Sequence, residues 1–166
     1  MKIKAWQWFV LGVIGLSLYN RKEIVSLVGG LRRNNPLNIR ETFVDGKPIE
    51  WVGRTGAESG FVVFDTLQNG LRAAAMNLVN KQKKHGMKTI AEIITSWSPK
   101  NENPTEVYIA KVARDNNIKP NQIIDLAAND QLLLGVIRSM IMFENGINPI
   151  SNELIISSIK KARVVA

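Results

Sequence analysis

The sequence predicts a mainly α protein with a small irregular β segment, preceded by an N-terminal hydrophobic helix. Three observations carry that prediction. Apolar residues recur at helical spacing, with cap residues before them, from Leu67 onward. Short extended pieces surround Asp45-Gly46, a hairpin signal, and a Gly-rich stretch from Gly53 to Gly60. Residues 5–19 are uncharged and mostly apolar, after a short basic start at Lys2 and Lys4.

The helices follow in order. Asp65-Thr66 caps a helix from Leu67 to about Lys84, with Leu71, Ala74, Ala75, Leu78 and Val79 inward. Thr89 and Glu92 form a capping box that starts a shorter helix ending near Trp97. After a loop from Ser98, Asn103 caps the next helix, with Pro104 at its first position and Glu106 at its third. That helix carries Tyr108 and frays at Asn116-Asn117. A short helical turn is expected over 121–126. Asn129 and Asp130 start a strongly apolar helix that ends at Gly146, with Pro149 beyond. Ser151 caps the last helix.

Composition excludes several classes of chemistry. With no cysteine there is no disulfide framework and no thiolate zinc site. One histidine, His85, rules out a multi-histidine metal site, so no metal or cofactor is expected. His85 lies in a basic helix end before Gly86, where it suits the negative end of the helix dipole. The net charge is +8. Lys2, Lys4, Arg21, Lys22, Arg32 and Arg33, against Glu23, place much of that excess beside the apolar run. This points to a membrane surface rather than nucleic acid, for which no binding motif is present.

Residues 5–19 fall short of the roughly 17–20 needed to span a bilayer comfortably. Trp6, Trp8 and Tyr19 near the ends suit interfacial positions. A secretory signal, an uncleaved anchor in a thin bilayer and a helix packed on the domain compete. Charge on both sides and the following Gly29-Gly30, read as a joint, favour the anchor.

Two stretches carry candidate chemistry. Glu144 sits in the last turn of the apolar helix, where exposed carbonyls and apolar neighbours both disfavour a negative charge. A raised pKa is what a carboxyl acting as general acid needs. A solvent-facing Glu at a frayed helix end is the competing reading. Asn34, Asn35 and Asn38 cluster at a turn with Pro36. Their amides both donate and accept, as sugar hydroxyls and acetamido groups require, although an ordinary turn explains them equally well. Trp51 is either a sugar platform or a core residue.

The blocks Arg-Asn-Asn-Pro-Leu-Asn-Ile-Arg (33–40), Trp-Val-Gly (51–53), Gly-Phe-Val-Val-Phe-Asp-Thr (60–66), Gly-Leu-Arg-Ala-Ala-Ala (70–75), Trp-Ser-Pro-Lys-Asn-Glu-Asn-Pro-Thr-Glu-Val-Tyr-Ile (97–109) and Phe-Glu-Asn-Gly (143–146) together resemble a phage family. Its members include virion structural proteins and peptidoglycan-cleaving endolysins. The resemblance runs from about Arg32 to Ala162 and implies a mostly helical domain like the α-lobe of lysozyme. Residues 1–30 then form the hydrophobic anchor and joint, and 31–166 a lysozyme-like catalytic domain.

A further resemblance concerns the site. Flagellar-type glucosaminidases and soluble lytic transglycosylases place a catalytic Glu at a helix end. In the former, an Asn-Asn turn, a Trp-x-Gly and a Tyr facing the acid come later in the chain. Glu144, Asn34-Asn35, Trp51-Val52-Gly53 and Tyr108 are similar to those elements, although Glu144 here comes last. A circularly permuted arrangement reconciles the order. Because of it, Glu102, in the loop before the Tyr108 helix, stays as the alternative acid. Glu58-Ser59 resembles the Glu-Ser pair of transglycosylases but has no helix before it.

The resemblance implies Glu144 and Tyr108 as catalytic residues and Asn34, Asn35, Asn38 and Trp51 as substrate-binding residues. It implies cleavage of the glycan strand of peptidoglycan, as a muramidase or a lytic transglycosylase. The expected partners are peptidoglycan, a membrane through residues 5–19 and other virion proteins. The expected place is the virion membrane or the host inner membrane, facing the periplasm. A non-enzymatic, membrane-anchored virion protein is the alternative.

Overall fold

A computed structural model describes residues 28–98 and 104–163. The expected anchor at 5–19 and Glu102 lie outside the described residues. Among the described residues no helix is long and apolar enough to cross a membrane. The elements are α1 (Gly29–Arg32), β1 (Phe43–Val44), β2 (Lys47–Pro48), β3 (Arg54–Glu58), β4 (Phe61–Phe64), α2 (Leu67–Lys83), α3 (Ile90–Trp97), α4 (Thr105–Asp115), α5 (Asp130–Asn145) and α6 (Asn152–Arg163).

The β segment is two separate antiparallel hairpins. Asp45 and Gly46 join β1 to β2 with φ of 50° and 74°, the positive values that a type I′ turn requires. Ser59 and Gly60 do the same between β3 and β4, with φ of 53° and 80°. The stretch 53–60, expected as a Gly-rich loop, therefore contains a strand. The tight turn brings Arg54–Glu58 back onto Phe61–Phe64, with one irregularity between Arg54 and Gly56. Val62 and Phe64 alternate inward, which fastens this hairpin to the helices. Glu58 is claimed by both oxygens, at 2.6 and 2.7 Å, by the Arg32 guanidinium, whose hydrogen bond holds it below the usual carboxylate range. The pair ties the end of α1 to the hairpin at the protein surface.

The helix starts follow the expected chemistry. The Thr66 side chain accepts from the Asn69 amide, and Asn129 accepts from that of Leu132. Thr89 and Glu92 complete a capping box. Gly146 ends α5 in the left-handed conformation with φ of 72°. The helix after the loop begins at Thr105, with Pro104 as its cap, one residue later than expected; Asn103 lies outside the described residues. The helical turn expected over 121–126 does not form. Ile124 N–H donates to the Lys88 carbonyl, and the Gln82 side chain takes the Ile124 carbonyl and the Leu126 amide. Those backbone groups are thereby diverted from helical partners.

Gly29 and Gly30 are helical. They open α1, and Gly30 is buried where a Cβ would come within 2.6 Å of Asn145 Oδ1 and 2.9 Å of Asn38 Oδ1. The core joins α2, which packs chiefly on α6, to the apolar faces of α3, α4 and α5. Leu71, Leu78, Ile94, Val112, Ile137 and Met140 are fully enclosed there. Tyr108 is buried with them, stacked on Phe143 with ring centroids 3.8 Å apart.

Gly70 is the closest approach in this assembly. A Cβ at that position would lie 1.8 Å from the Asn34 carbonyl oxygen. Gly70→Ala must push the Asn34 turn off α2. Overpacking of this kind typically costs about 1–3 kcal/mol, so thermal unfolding should show a clearly lowered melting temperature. An unchanged transition would mean that the turn does not rest on α2.

Candidate active site

The turn from Arg33 to Ile39 is built before it is functional. Asn34 and Asn38 both adopt positive φ, 53° and 51°, which asparagine tolerates. The Asn34 amide donates to the Phe64 and Asp65 carbonyls at 3.0 and 3.2 Å. Asn35 is fully buried; its amide donates to the Ile39 and Val62 carbonyls and its oxygen accepts from the Ile39 amide. Asn34 and Asn35, expected to bind substrate, are thus committed to backbone partners. Trp51, expected in the same role, packs half-buried against the core and does not line the cleft described below.

Asn38 differs from its neighbours. Its amide donates to Glu144 Oε2 at 3.0 Å, and its oxygen accepts from the Arg33 guanidinium at 3.2 Å. The other Glu144 oxygen, Oε1, accepts from the Tyr108 hydroxyl at 3.0 Å. Glu144, Tyr108 and Asn38, drawn from the two ends of the described chain and from its middle, therefore meet around one carboxyl. Asn145, next to Glu144, anchors the helix end by donating to the Pro36 carbonyl at 2.7 Å.

Burial raises the Glu144 carboxyl above the ordinary range. The Asn38 amide, the Tyr108 hydroxyl, the Arg40 charge and the Trp97 indole pull it back without cancelling that effect. Tyr108 itself is pushed well above its usual value, first by burial and then by the charge of Glu144, so it stays a hydrogen-bond donor. The result is a carboxyl held in one orientation and inclined to keep its proton.

Glu144 opens onto a cleft of about 480 Å³. One wall is the Asn38–Thr42 segment with Phe61 of β4, over whose ring Arg40 lies 5.4 Å from the centroid. The other is Asn77 and Lys81 of α2 with Ser96 to Ser98 at the end of α3. Among the described lining residues Glu144 is the one carboxylate. Among the described residues no group of three or more His, Asp or Glu is placed to hold a metal ion.

Arg40, Lys81, Trp97 and Ser98 were not singled out from sequence. Arg40 and the Trp97-Ser98 pair lay inside blocks that carried the family resemblance, which was a usable signal. Asn77 and Lys81 are four residues apart on α2, hence on one helix face, but nothing in the sequence says that this face borders a cleft.

The described residues thus form a mainly helical domain with one buried, oriented carboxyl at a polar cleft. No family model matches the chain. It is similar to Protein P5 of Pseudoalteromonas phage PM2, with 40% identity over 127 residues, covering 76% of this chain and 77% of the phage protein. The chain belongs to the family of that phage protein.

The raised Glu144 value has a thermodynamic consequence. Between the unfolded carboxyl value, about 4.3, and the higher folded value, the native state binds more protons than the unfolded chain. Stability attributable to Glu144 therefore falls as pH rises through that window. Glu144→Gln is free of this loss. Its melting temperature relative to the native chain should become more favourable between about pH 4 and pH 8. A difference independent of pH would show that burial does not raise this carboxyl.

Proposed function

We propose that the chain is a phage peptidoglycan-degrading enzyme that cleaves the glycan strand, as a muramidase or a lytic transglycosylase. The observation that carries this reading is the Glu144 carboxyl, raised by burial, hydrogen-bonded by Tyr108 and Asn38 and opening onto a polar cleft. Glu144 protonates the glycosidic oxygen as the C1–O bond breaks and positive charge develops at C1 and the ring oxygen. Tyr108 and Asn38 hold the carboxyl in place and stabilise the carboxylate left behind.

The absence of a second carboxylate among the described lining residues supports a scheme with a single acid. The same group, now deprotonated, takes a proton from the attacking hydroxyl. If that hydroxyl belongs to water, the product is a reducing N-acetylmuramic acid end. If it is the sugar's own C6 hydroxyl, the product is the 1,6-anhydro sugar. Glu144→Gln should lower lysis of purified murein by at least about 100-fold while keeping the native circular dichroism spectrum. Mass spectrometry of the products from the native chain identifies the bond cut and the end formed. Near-normal lysis by the variant would overturn the assignment of the acid. No cleavage by the native chain would favour a purely structural virion protein.

We further propose that residues 5–19 hold this enzyme at a membrane, either in the virion or at the host inner membrane. The uncharged run, its aromatic ends and the flanking basic residues support this. The full-length chain should stay with anionic lipid vesicles through a high-salt wash. Leu11→Lys combined with Leu16→Lys should release it into the supernatant; retention of that variant would remove the anchor from this segment.

A further inference from the structure

The Asn38 amide stands between two side chains of opposite charge. Its oxygen accepts from the Arg33 guanidinium at 3.2 Å, and its nitrogen donates to Glu144 Oε2 at 3.0 Å. The Arg33 side chain is only 11% exposed. It lies 4.8 Å from the centre of the Phe61 ring and 3.9 Å from Glu58 Oε2, and Glu58 also pairs with Arg32. Burial draws the Arg33 pKa down, Glu58 opposes that and Arg32 adds to it; an arginine in such a place still keeps its charge. The Asn38 oxygen is packed over Gly30, where a Cβ would come within 2.9 Å of it. A guanidinium carries donors and no acceptor, so the amide oxygen satisfies it and the amide nitrogen does not. The orientation of Asn38 is therefore set from the side away from Glu144, whether or not Glu144 carries its proton.

That constraint bears on the acid because an unconstrained amide can answer either form of a carboxyl. Its nitrogen donates to the carboxylate; turned over, its oxygen accepts from the protonated acid. The first arrangement favours the anion and the second the neutral form. We infer that Arg33 is a positioning residue: it holds the Asn38 amide with its donor toward Glu144, so that the carboxylate is supported and the protonated acid is not. The consequence for catalysis rests on Glu144 being the acid proposed above, which must give up a proton and recover it within one cycle. The other groups at this carboxyl are Tyr108 from α4, Trp97 from α3 and Arg40 from the cleft wall, with Lys81 of α2 lining the same cleft. The charge that acts on Glu144 directly is that of Arg40, and the effect of Arg33 passes through Asn38.

The test is a titration that needs no substrate. The full-length chain is isotope-labelled at the glutamate carboxyl carbons and followed by NMR, with the Glu144 signal assigned by its loss in Glu144→Gln. Arg33→Met removes the donor, while the turn keeps the bond from the Phe64 N–H to the Arg33 carbonyl. Glu144 should then titrate at a clearly higher pH than in the native chain. Arg33→Lys, which retains a side chain with donors only, should bring it back toward the native value. In an Asn38→Ala background Arg33→Met should cause no further change, because the amide through which Arg33 acts is gone. An unmoved Glu144 titration in Arg33→Met, or an equal shift with and without Asn38, would overturn the positioning role. Should Arg33→Met not fold, the native chain decides. The Asn38 side-chain amide protons should show no nuclear Overhauser contact with the Arg33 guanidinium protons on either side of the Glu144 titration. A contact that appears as Glu144 takes up its proton would mean that the amide turns over, and would overturn the inference. If Glu144 moves as expected but the native chain leaves murein intact, Arg33 positions Asn38 and the proposed cleavage falls.

Discussion

The buried amide of Asn35 is the constraint on which the site depends. It joins the Asn34–Ile39 turn to β4 through hydrogen bonds to Ile39 and Val62, in a place with no access to water. Each such bond contributes only about 1 kcal/mol net, but a buried group left without its partner costs more, so the turn has few alternatives. With the turn held, the Asn34 carbonyl rests on Gly70 and the Pro36 carbonyl receives the Asn145 amide. The start of α2 and the end of α5 are thereby brought to the same few residues. Asn38 then projects toward Glu144 as a consequence of that geometry.

The three asparagines thus divide their work. Two shape the chain and one reaches the Glu144 carboxyl. An amide can do either because it donates and accepts at once, and the choice is set by what lies within reach after folding. Asn35 meets the backbone groups of Ile39 and Val62. Asn38, three residues later and with its backbone in the left-handed region, meets a carboxylate.

Glu144 is held in tension between two influences. The enclosed setting beside the Tyr108–Phe143 stack favours the neutral acid. The surrounding donors and the Arg40 charge favour the anion. A group balanced in this way can release and recover a proton within one cycle, which is the property the proposed reaction asks of it. Tyr108 contributes by being so well buried that it stays a donor.

Local chemistry was legible in the residues themselves. The caps at Thr66, Thr89 and Asn129, the Asp45-Gly46 turn and the glycine stop after Asn145 depend on neighbours within a few positions. So did the pressure on Glu144, because the apolar face of its own helix announced burial. The strand at Arg54–Glu58 and the irregular path over 121–126 were not legible, since pairing with β4 and capture by Gln82 and Lys88 come from elsewhere in the chain. The roles of Asn34, Asn35 and Trp51 and the presence of Lys81 and Ser98 on one cleft were decided in the same way. Spacing along a chain determines what a segment prefers to become; which side chain is left facing a cavity depends on which partners packing brings to it, and that information exists only in three dimensions.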